Sequence, residues 1–333
     1  MASVKLNAGI VGVGSYQPEK ILTNDELSQH IDTSDEWIRS RTGIGERRIA
    51  REDQAASDLG VAAAQMALEN AGVSADEVEL VIVATATPDM PFPSTACIIQ
   101  DKLQLKHAAA FDVTAGCSGF VYATTIAAQF ISSGLYRTVL VIGTDVLSRI
   151  TDWEDRNTCV LLADGAGAVV MQPAAPGYGI LSARLGADGA GGKFLCIPAG
   201  GSRLAITPEG LSEKLNKLKM SGQDVFRFAK TILPEVTLQA MEAAGLTKDD
   251  IALIIPHQAN LRIIEAAAKR MDMPMDKFMV NLDKYGNTSS ASVPTALHEA
   301  LQAGRITDGD IVVLTAFGAG LTWGSVVMRW QAA

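Results

Sequence analysis

"LENAGVSADEVELVIVA", residues 68–84, has a counterpart later in the same chain, "MEAAGLTKDDIALIIPH", residues 241–257. Each reads as a helix end stopped by glycine, a short acidic turn, and an apolar run with the length of a buried strand. Setting Gly72 over Gly245 gives an offset of 173. Two further pairs follow in the same order. "FDVTAGCS" (111–118) resembles "VNLDKYGNT" (280–288) in pattern, with Gly116 over Gly286 at 170, and "TVLVIGTD" (138–145) matches "DIVVLTAF" (310–317), with Val139 over Ile311 at 172. Three near-equal offsets in one order predict a duplicated βαβ-rich unit, with halves at 1–175 and 176–333. Apolar runs alternate with Ala-rich helical stretches along the rest of the chain, the α/β signature. The overlay sets Cys117 on Asn287 and Ala84 on His257. Ligands of α/β sheets lie off the carboxyl ends of strands, so two halves packed face to face bring these loops to one shared centre.

Bulk properties narrow the function classes. With 333 residues, 48% hydrophobic and 20% charged, the chain can bury a large core. A net charge of −9 argues against a general nucleic-acid or anionic-membrane binder. Cys97, Cys117, Cys159 and Cys196 are scattered without CxxC spacing, which predicts neither a disulfide framework nor a metal site. The N-terminal apolar stretch is broken by Gly9, Gly12, Gly14 and Pro18 and reads as a first strand, with no secretion signal and no membrane span; the expected compartment is the cytoplasm. "GIVGVGS" (9–15) suggests a dinucleotide loop, but no GxGxxG is completed and Pro18 interrupts the helix that should follow, so a Rossmann oxidoreductase is not expected.

Chemistry concentrates at three places. In "VTAGCSGF" (113–120), Gly116 and Gly119 open the approach to Cys117, and "SGFVYATTIAAQFISSG" (118–134) reads as a helix beginning there. A thiol at a helix start feels the positive end of the dipole, which favours thiolate. A lone cysteine is by default a small core hydrophobe, and that reading stands for Cys97, Cys159 and Cys196. His257 follows "IALIIP" at the mouth of a buried strand, whereas His30, His107 and His298 read as structural. A lone histidine at such a place commonly serves only as a loop hydrogen-bonding group, and His257 gains weight through its companions. Asn287 lies in "KYGNTSSASVPTAL" (284–297), which by itself is a turn and helix-cap signal. "TAFGAGLTWG" (315–324) is a strand entering a Gly-rich turn, which either aims backbone N–H groups at an oxyanion or is simply tight.

Cys117, a histidine in "HQAN" and an asparagine in "GNTS", in that order on a duplicated α/β chain, closely resemble the β-ketoacyl-acyl-carrier-protein synthase III family. These are the initiating condensing enzymes of type II fatty acid synthesis, within the thiolase-fold superfamily. The resemblance extends nearly end to end. Chain-elongating relatives use Cys with two His, and thiolases use Cys, His and a second Cys, so Asn287 points to the initiating class. The resemblance implies a thiolase-like fold of two pseudo-symmetric halves, with mixed sheets packed in a layered core. It also implies an acyltransferase that joins an acyl-CoA primer, with acetyl-CoA expected, to malonyl-acyl carrier protein by decarboxylative Claisen condensation. No cofactor and no metal are implied, the CoA thioester being substrate.

Site residues carry over one at a time. Cys117 is implied as nucleophile, His257 and Asn287 as donors to the enolate, and the N–H groups of Cys117 and Ala319 as the oxyanion hole. Where the family has "FGGG", this chain has "FGAG" (317–320); a backbone donor survives if Ala319 has negative φ. "TSDEWIRSRTGI" (33–44) resembles the CoA-binding segment, with Trp37 stacked on the adenine and Thr33 and Arg41 nearby, although "TSDE" is also a capping box. Arg156 matches the arginine on the other face of the adenine. "MSGQDVF" (220–226) fits M-x-G-x-x-V-F, which makes Met220, Gly222 and Phe226, with Ala259, walls of the pantetheine tunnel. Phe92 resembles the phenylalanine that crosses a homodimer interface to close the partner's acyl pocket. Arg262, Lys269 and Arg270 follow His257 on one expected helix and offer positive charge to an acidic carrier protein; a solvated helix face explains them equally well. Two rival readings remain at this stage: a related condensing enzyme or plain acyltransferase of a polyketide or other secondary pathway, and a non-catalytic CoA- or carrier-binding scaffold.

Overall fold

The computed structural model describes residues 7–332. Its strands are β1 (Ala8–Tyr16), β2 (Lys20–Thr23), β3 (Glu46–Ile49), β4 (Leu80–Ala84), β5 (Ala109–Val113), β6 (Val139–Val146), β7 (Asp164–Pro173), β8 (Gly179–Ala187), β9 (Leu195–Cys196), β10 (Lys219–Met220), β11 (Ile251–Pro256), β12 (Ile311–Gly318) and β13 (Thr322–Arg329). The helices are α1 (Asn24–Ser28), α2 (Asp35–Thr42), α3 (Ala56–Ala71), α4 (Thr95–Lys102), α5 (Gly119–Ser133), α6 (Arg156–Cys159), α7 (Pro208–Ser212), α8 (Gly222–Ala243), α9 (Leu261–Met271), α10 (Leu282–Tyr285) and α11 (Ser292–Gln302).

β4, β6 and β12 are buried along their whole length, because each is covered on both faces; this is why they read as unbroken apolar runs instead of alternating ones. One sheet has the order β1-β7-β6-β4-β5 and the other β11-β12-β13-β8. β6 runs parallel to β4 and antiparallel to β7, and β12 runs parallel to β11 and antiparallel to β13, so the sheets are mixed in the same way. The pleat sends Leu80, Ile82 and Ala84 inward with Leu253 and Ile255, onto Phe120, Ala123 and Ala127 of α5 and Val293, Ala296 and Ala300 of α11. Val81 and Val83 face outward onto α3, and Ile254 and Val313 outward onto α8 and α9. The molecule is therefore five layers, α-β-α-β-α, with α5 and α11 enclosed between the two sheets.

The internal repeat holds with a change of register. The capping boxes Ser74–Glu77 and Thr247–Asp250, and the onsets of α5 and α11, agree at an offset of 173. The one-turn 3₁₀ segments Gly116–Ser118 and Ser289–Ala291 agree as well, each opening on a positive φ, 52° at Gly116 and 51° at Ser289. Cys117 thus corresponds to Ser290; the overlay on Asn287 is out by three residues, because the match of Gly116 to Gly286 aligned two turns of different geometry. Ala84 pairs with Gly143, and Pro256 with Thr315, after a bulge at Ile251/Leu253. Ala84 therefore corresponds to Pro256, and His257 is the first residue beyond its strand.

"GIVGVGS" has a packing explanation. A Cβ on Gly12 would meet Ala67 O at 2.4 Å, and one on Gly14 would meet Ala63 O at 2.4 Å. These glycines let β1 lie against the small-residue face of α3. Gly14→Val should force the two apart and destabilise by about 1–3 kcal/mol. The expected readout is a lower urea midpoint with an unchanged slope; an unchanged midpoint would show slack at this contact.

Candidate active site

Three strand-end segments converge on one cavity of about 860 Å³, whose wall includes Cys117, His257 and Asn287 together. Cys117 is the middle residue of the 3₁₀ turn that follows β5. The chain folds back there because Gly116 takes a positive φ and because a Cβ on it would stand 2.8 Å from the Ala319 nitrogen. From the opposite side a Cβ on Gly318 would lie 2.5 Å from the Cys117 nitrogen. The hydroxyl of Thr322 is 2.9 Å from Ala115 O, 2.8 Å from Ala319 O and 2.8 Å from Ser118 Oγ, tying the nucleophile turn to the β12–β13 turn. Ala319 is not among the residues with positive φ, so alanine is accommodated in the "FGAG" turn.

The thiol differs from expectation. Burial pushes the Cys117 pKa up to about 11; the Ser289 hydroxyl acts in the opposite direction, and the charge of Asp145 adds to the rise. The dipole argument predicts a thiolate, but α5 begins only at Gly119 and desolvation of the sulfur outweighs the helix end. Cys117 rests as a thiol at neutral pH.

His257 is 2% exposed. Its backbone N–H donates to Thr315 O at 2.8 Å, its Nδ1 is 2.7 Å from Ser292 Oγ, and its ring meets Phe317 edge-on at 5.4 Å between centroids. Burial pushes its pKa down to about 3, so the imidazole is neutral through the physiological range. Asn287 is clamped by its backbone, its N–H donating to Leu161 O at 2.8 Å and its C=O accepting from Ala163 N at 2.9 Å. Its Oδ1 accepts from Ser289 N at 2.9 Å, while Nδ2 donates to no group among the described residues.

Asp145, Ser289 and Ser292 are neighbours of this site that the sequence reading passed over. Asp145, the seventh residue of β6, is fully buried and accepts from Thr85 Oγ1, Ala86 N, Thr87 N, Ser290 N and Ser290 Oγ at 2.6–3.2 Å. Burial raises its pKa and these bonds oppose the rise. The serines stood in plain view in "GNTSSAS", where a cap signal was explanation enough.

Of the other expected residues, Trp37, Arg41, Arg156, Met220, Gly222, Phe226 and Ala259 line the same cavity, and Thr33 does not. Ser34, not Thr33, caps α2, accepting from Trp37 N, and no capping box forms. The Arg156 guanidinium carbon lies 4.9 Å from the Trp37 ring centroid, so the two stack directly on each other. Phe92 is 84% exposed and outside the cavity wall. Arg262, Lys269 and Arg270 are exposed on α9, with Arg262 over the Phe226 ring at 5.5 Å. The core expectation holds for Cys159, which is buried, but Cys97 is exposed and Cys196 is half-buried in the cavity wall, because β9 is a short strand at the cavity rim and not part of either main sheet. No helix among the described residues is long and apolar enough to cross a membrane.

A half-buried thiol, a neutral imidazole and a carboxamide at one cavity of a duplicated, five-layer α/β fold define a thiolase-fold condensing enzyme. Residues 111–189 match the family model 3-oxoacyl-[acyl-carrier-protein] synthase III, and residues 241–330 match that of its C-terminal part. The chain is 56% identical over 327 residues to the β-ketoacyl-[acyl-carrier-protein] synthase III of Caldanaerobacter subterraneus subsp. tengcongensis, covering 98% of this chain and 99% of that one. The solved synthase III of Thermus thermophilus superposes with a TM-score of 0.91 at 47% identity, covering 98% and 100%. The priming β-ketosynthase of the R1128 polyketide pathway superposes with a TM-score of 0.90 at 36% identity, covering 98% and 97%. The chain belongs to the β-ketoacyl-acyl-carrier-protein synthase III family and is an acyltransferase of the condensing type.

The high thiol pKa has a direct readout. Alkylation of Cys117 by iodoacetamide, followed by peptide mass mapping, should rise about tenfold per pH unit between pH 7 and 9. A rate that levels off below pH 8 would mean that the thiolate is already favoured.

Proposed function

We propose that this enzyme condenses an acyl-CoA primer, acetyl-CoA in the first instance, with malonyl-acyl carrier protein, as the initiating step of fatty acid biosynthesis in the cytoplasm. The observation that carries the mechanism is that the two polar partners of Cys117 are each tied back on one side. Asn287 Oδ1 is held by Ser289 N and His257 Nδ1 by Ser292, so each retains one polar edge for a ligand.

Cys117 attacks the primer's carbonyl carbon. The tetrahedral oxygen takes the N–H groups of Cys117 and Ala319, whose nitrogens flank the glycine-lined contact between the two turns. Collapse breaks the C–S bond to CoA, and the thiol proton leaves on the CoA sulfur. A dry site penalises a thiolate but not a neutral thioester, so the same burial that raises the thiol pKa favours the acyl-enzyme. The malonyl thioester then loses CO₂, and its electron pair forms an enolate whose oxygen is held by His257 and Asn287. Neutral donors suit this step, because they stabilise developing charge without titrating. The enolate carbon attacks the Cys117 thioester; collapse breaks the C–S bond, releases the 3-oxoacyl product and leaves a Cys117 thiolate, which takes a proton from solvent to return to the thiol. No further cofactor is needed.

For CoA, Trp37 and Arg156 hold the adenine between them, with Arg41 alongside. Two stacking contacts of about 3.5 Å each require that pair to part from its present 4.9 Å. Met220, Gly222, Phe226 and Ala259 wall the pantetheine arm. A homodimer completes this reading: it is supported by β5, a sheet edge with β4 as its one neighbour, and by Phe92, whose exposed ring is free to close a partner's acyl pocket.

Incubation with acetyl-CoA should add one acetyl mass to the intact protein and none to Cys117→Ser. His257→Ala and Asn287→Ala should keep acyl-enzyme formation and lose decarboxylation by about a hundredfold. No adduct from any acyl-CoA would favour a binding scaffold instead. Arg262→Ala and Lys269→Glu should weaken use of malonyl-carrier protein more than use of CoA substrates; equal losses would remove α9 as the docking face.

A further inference from the structure

Ser292 stands at the first position of α11, 2% exposed, and its hydroxyl has two hydrogen-bond neighbours among the described residues. One is His257 Nδ1 at 2.7 Å and the other is the backbone N–H of Gln258 at 3.3 Å. A hydroxyl owns one proton, and a backbone N–H can only donate. Toward Gln258, Ser292 must therefore be the acceptor. If it also accepted an N–H from His257 Nδ1, its own proton would be left in a buried site with nothing to receive it, an arrangement native interiors avoid. The remaining arrangement satisfies every group: Gln258 N–H to Ser292 Oγ, and Ser292 O–H to His257 Nδ1.

We infer that Ser292 is a positioning residue that holds His257 in the tautomer protonated on Nε2, and so makes the imidazole a hydrogen-bond donor toward the cavity. This rests on the reading of His257 as a donor to the enolate, and it names what sets that donor. The chain on either side is rigid. Gln258 Nε2 donates to Pro256 O at 2.8 Å and Met279 O at 3.0 Å, and its Oε1 accepts from Asn281 N at 3.0 Å, so the backbone N–H that polarises Ser292 is held from three directions. The ring's face is set by Phe317. Without Ser292 nothing on the Nδ1 side distinguishes the two neutral forms, and the form protonated on Nδ1 turns a lone pair toward the enolate, repelling it.

The tautomer is observable directly. Full-length protein labelled with ¹⁵N-histidine, with His257→Gln to assign the signal, should show a pyrrole-type Nε2 and a pyridine-type Nδ1 for His257 at neutral pH. Ser292→Ala should mix the two forms, and should slow malonyl decarboxylation on the pre-acylated enzyme by between about tenfold and the roughly hundredfold of losing the donor outright. Acyl-enzyme formation should change far less, and Ser292→Thr, which keeps the hydroxyl, should recover most of the loss. A pyridine-type Nε2 in the wild-type protein overturns the inference whatever the activity, as does a Ser292→Ala protein with unchanged tautomer and unchanged decarboxylation. If His257→Ala itself decarboxylates at the wild-type rate, the donor role fails while the ¹⁵N spectrum still decides the tautomer, so the two failures are told apart.

Discussion

Two helix starts, one from each half of the chain, have to touch at the centre of the molecule, and most of the structure follows from that contact. α5 and α11 lie side by side between the sheets, and the turns that lead into them meet where the site is built. A Cβ on Gly143 would collide with Ser290 O at 2.4 Å, and one on Gly119 would press on Ala84 at 3.1 Å. Asp145 then reaches from the first half to take both the N–H and the hydroxyl of Ser290 in the second, while it also pins Thr85 and Thr87. A fully buried carboxylate without a cationic partner among the described groups is costly to desolvate, and it is tolerated because five or more donors converge on it. Removing its partners one at a time would leave charge unsatisfied at the seam between the halves.

Burial at that seam shapes the chemistry as much as the identities of the residues do. The same exclusion of water that keeps Cys117 protonated keeps His257 uncharged. The enzyme thereby gives up a standing thiolate and gains a dry pocket in which fixed neutral dipoles act at full strength on transient negative charge. In the proposed reaction the transient charge sits on oxygen, in the tetrahedral adducts and in the enolate, not on sulfur at rest. In the mechanism we propose, each oxygen has its own donor pair: the backbone N–H groups of Cys117 and Ala319 for one, and the side chains of His257 and Asn287 for the other. The close approach at Gly116 and Gly318 is what allows the first pair.

Legibility differed from element to element for physical reasons. Strands covered on both faces announce themselves as apolar runs, so the β4/β11 and β6/β12 correspondences were plain. Turns carry weaker constraints, since many sequences close one. The match of Gly116 to Gly286 therefore aligned the glycine that opens a 3₁₀ turn with one that ends the short helix α10, and missed that the true counterpart of Gly116 is Ser289, which shares its positive φ. Thr33 and Ser34 both fit a cap by type, and only the path of the chain into α2 selects Ser34.

The amino-acid sequence by itself determined the duplicated α/β architecture and singled out Cys117, His257 and Asn287, which line one cavity, because strand burial and side-chain chemistry are properties of residue type and order. Tertiary structure alone decided the protonation of the thiol and imidazole, the tie from Ser292 to His257, and the place of Asp145. Those depend on how many water molecules the packed layers exclude and on which groups, far apart in the chain, are left within three ångströms of one another.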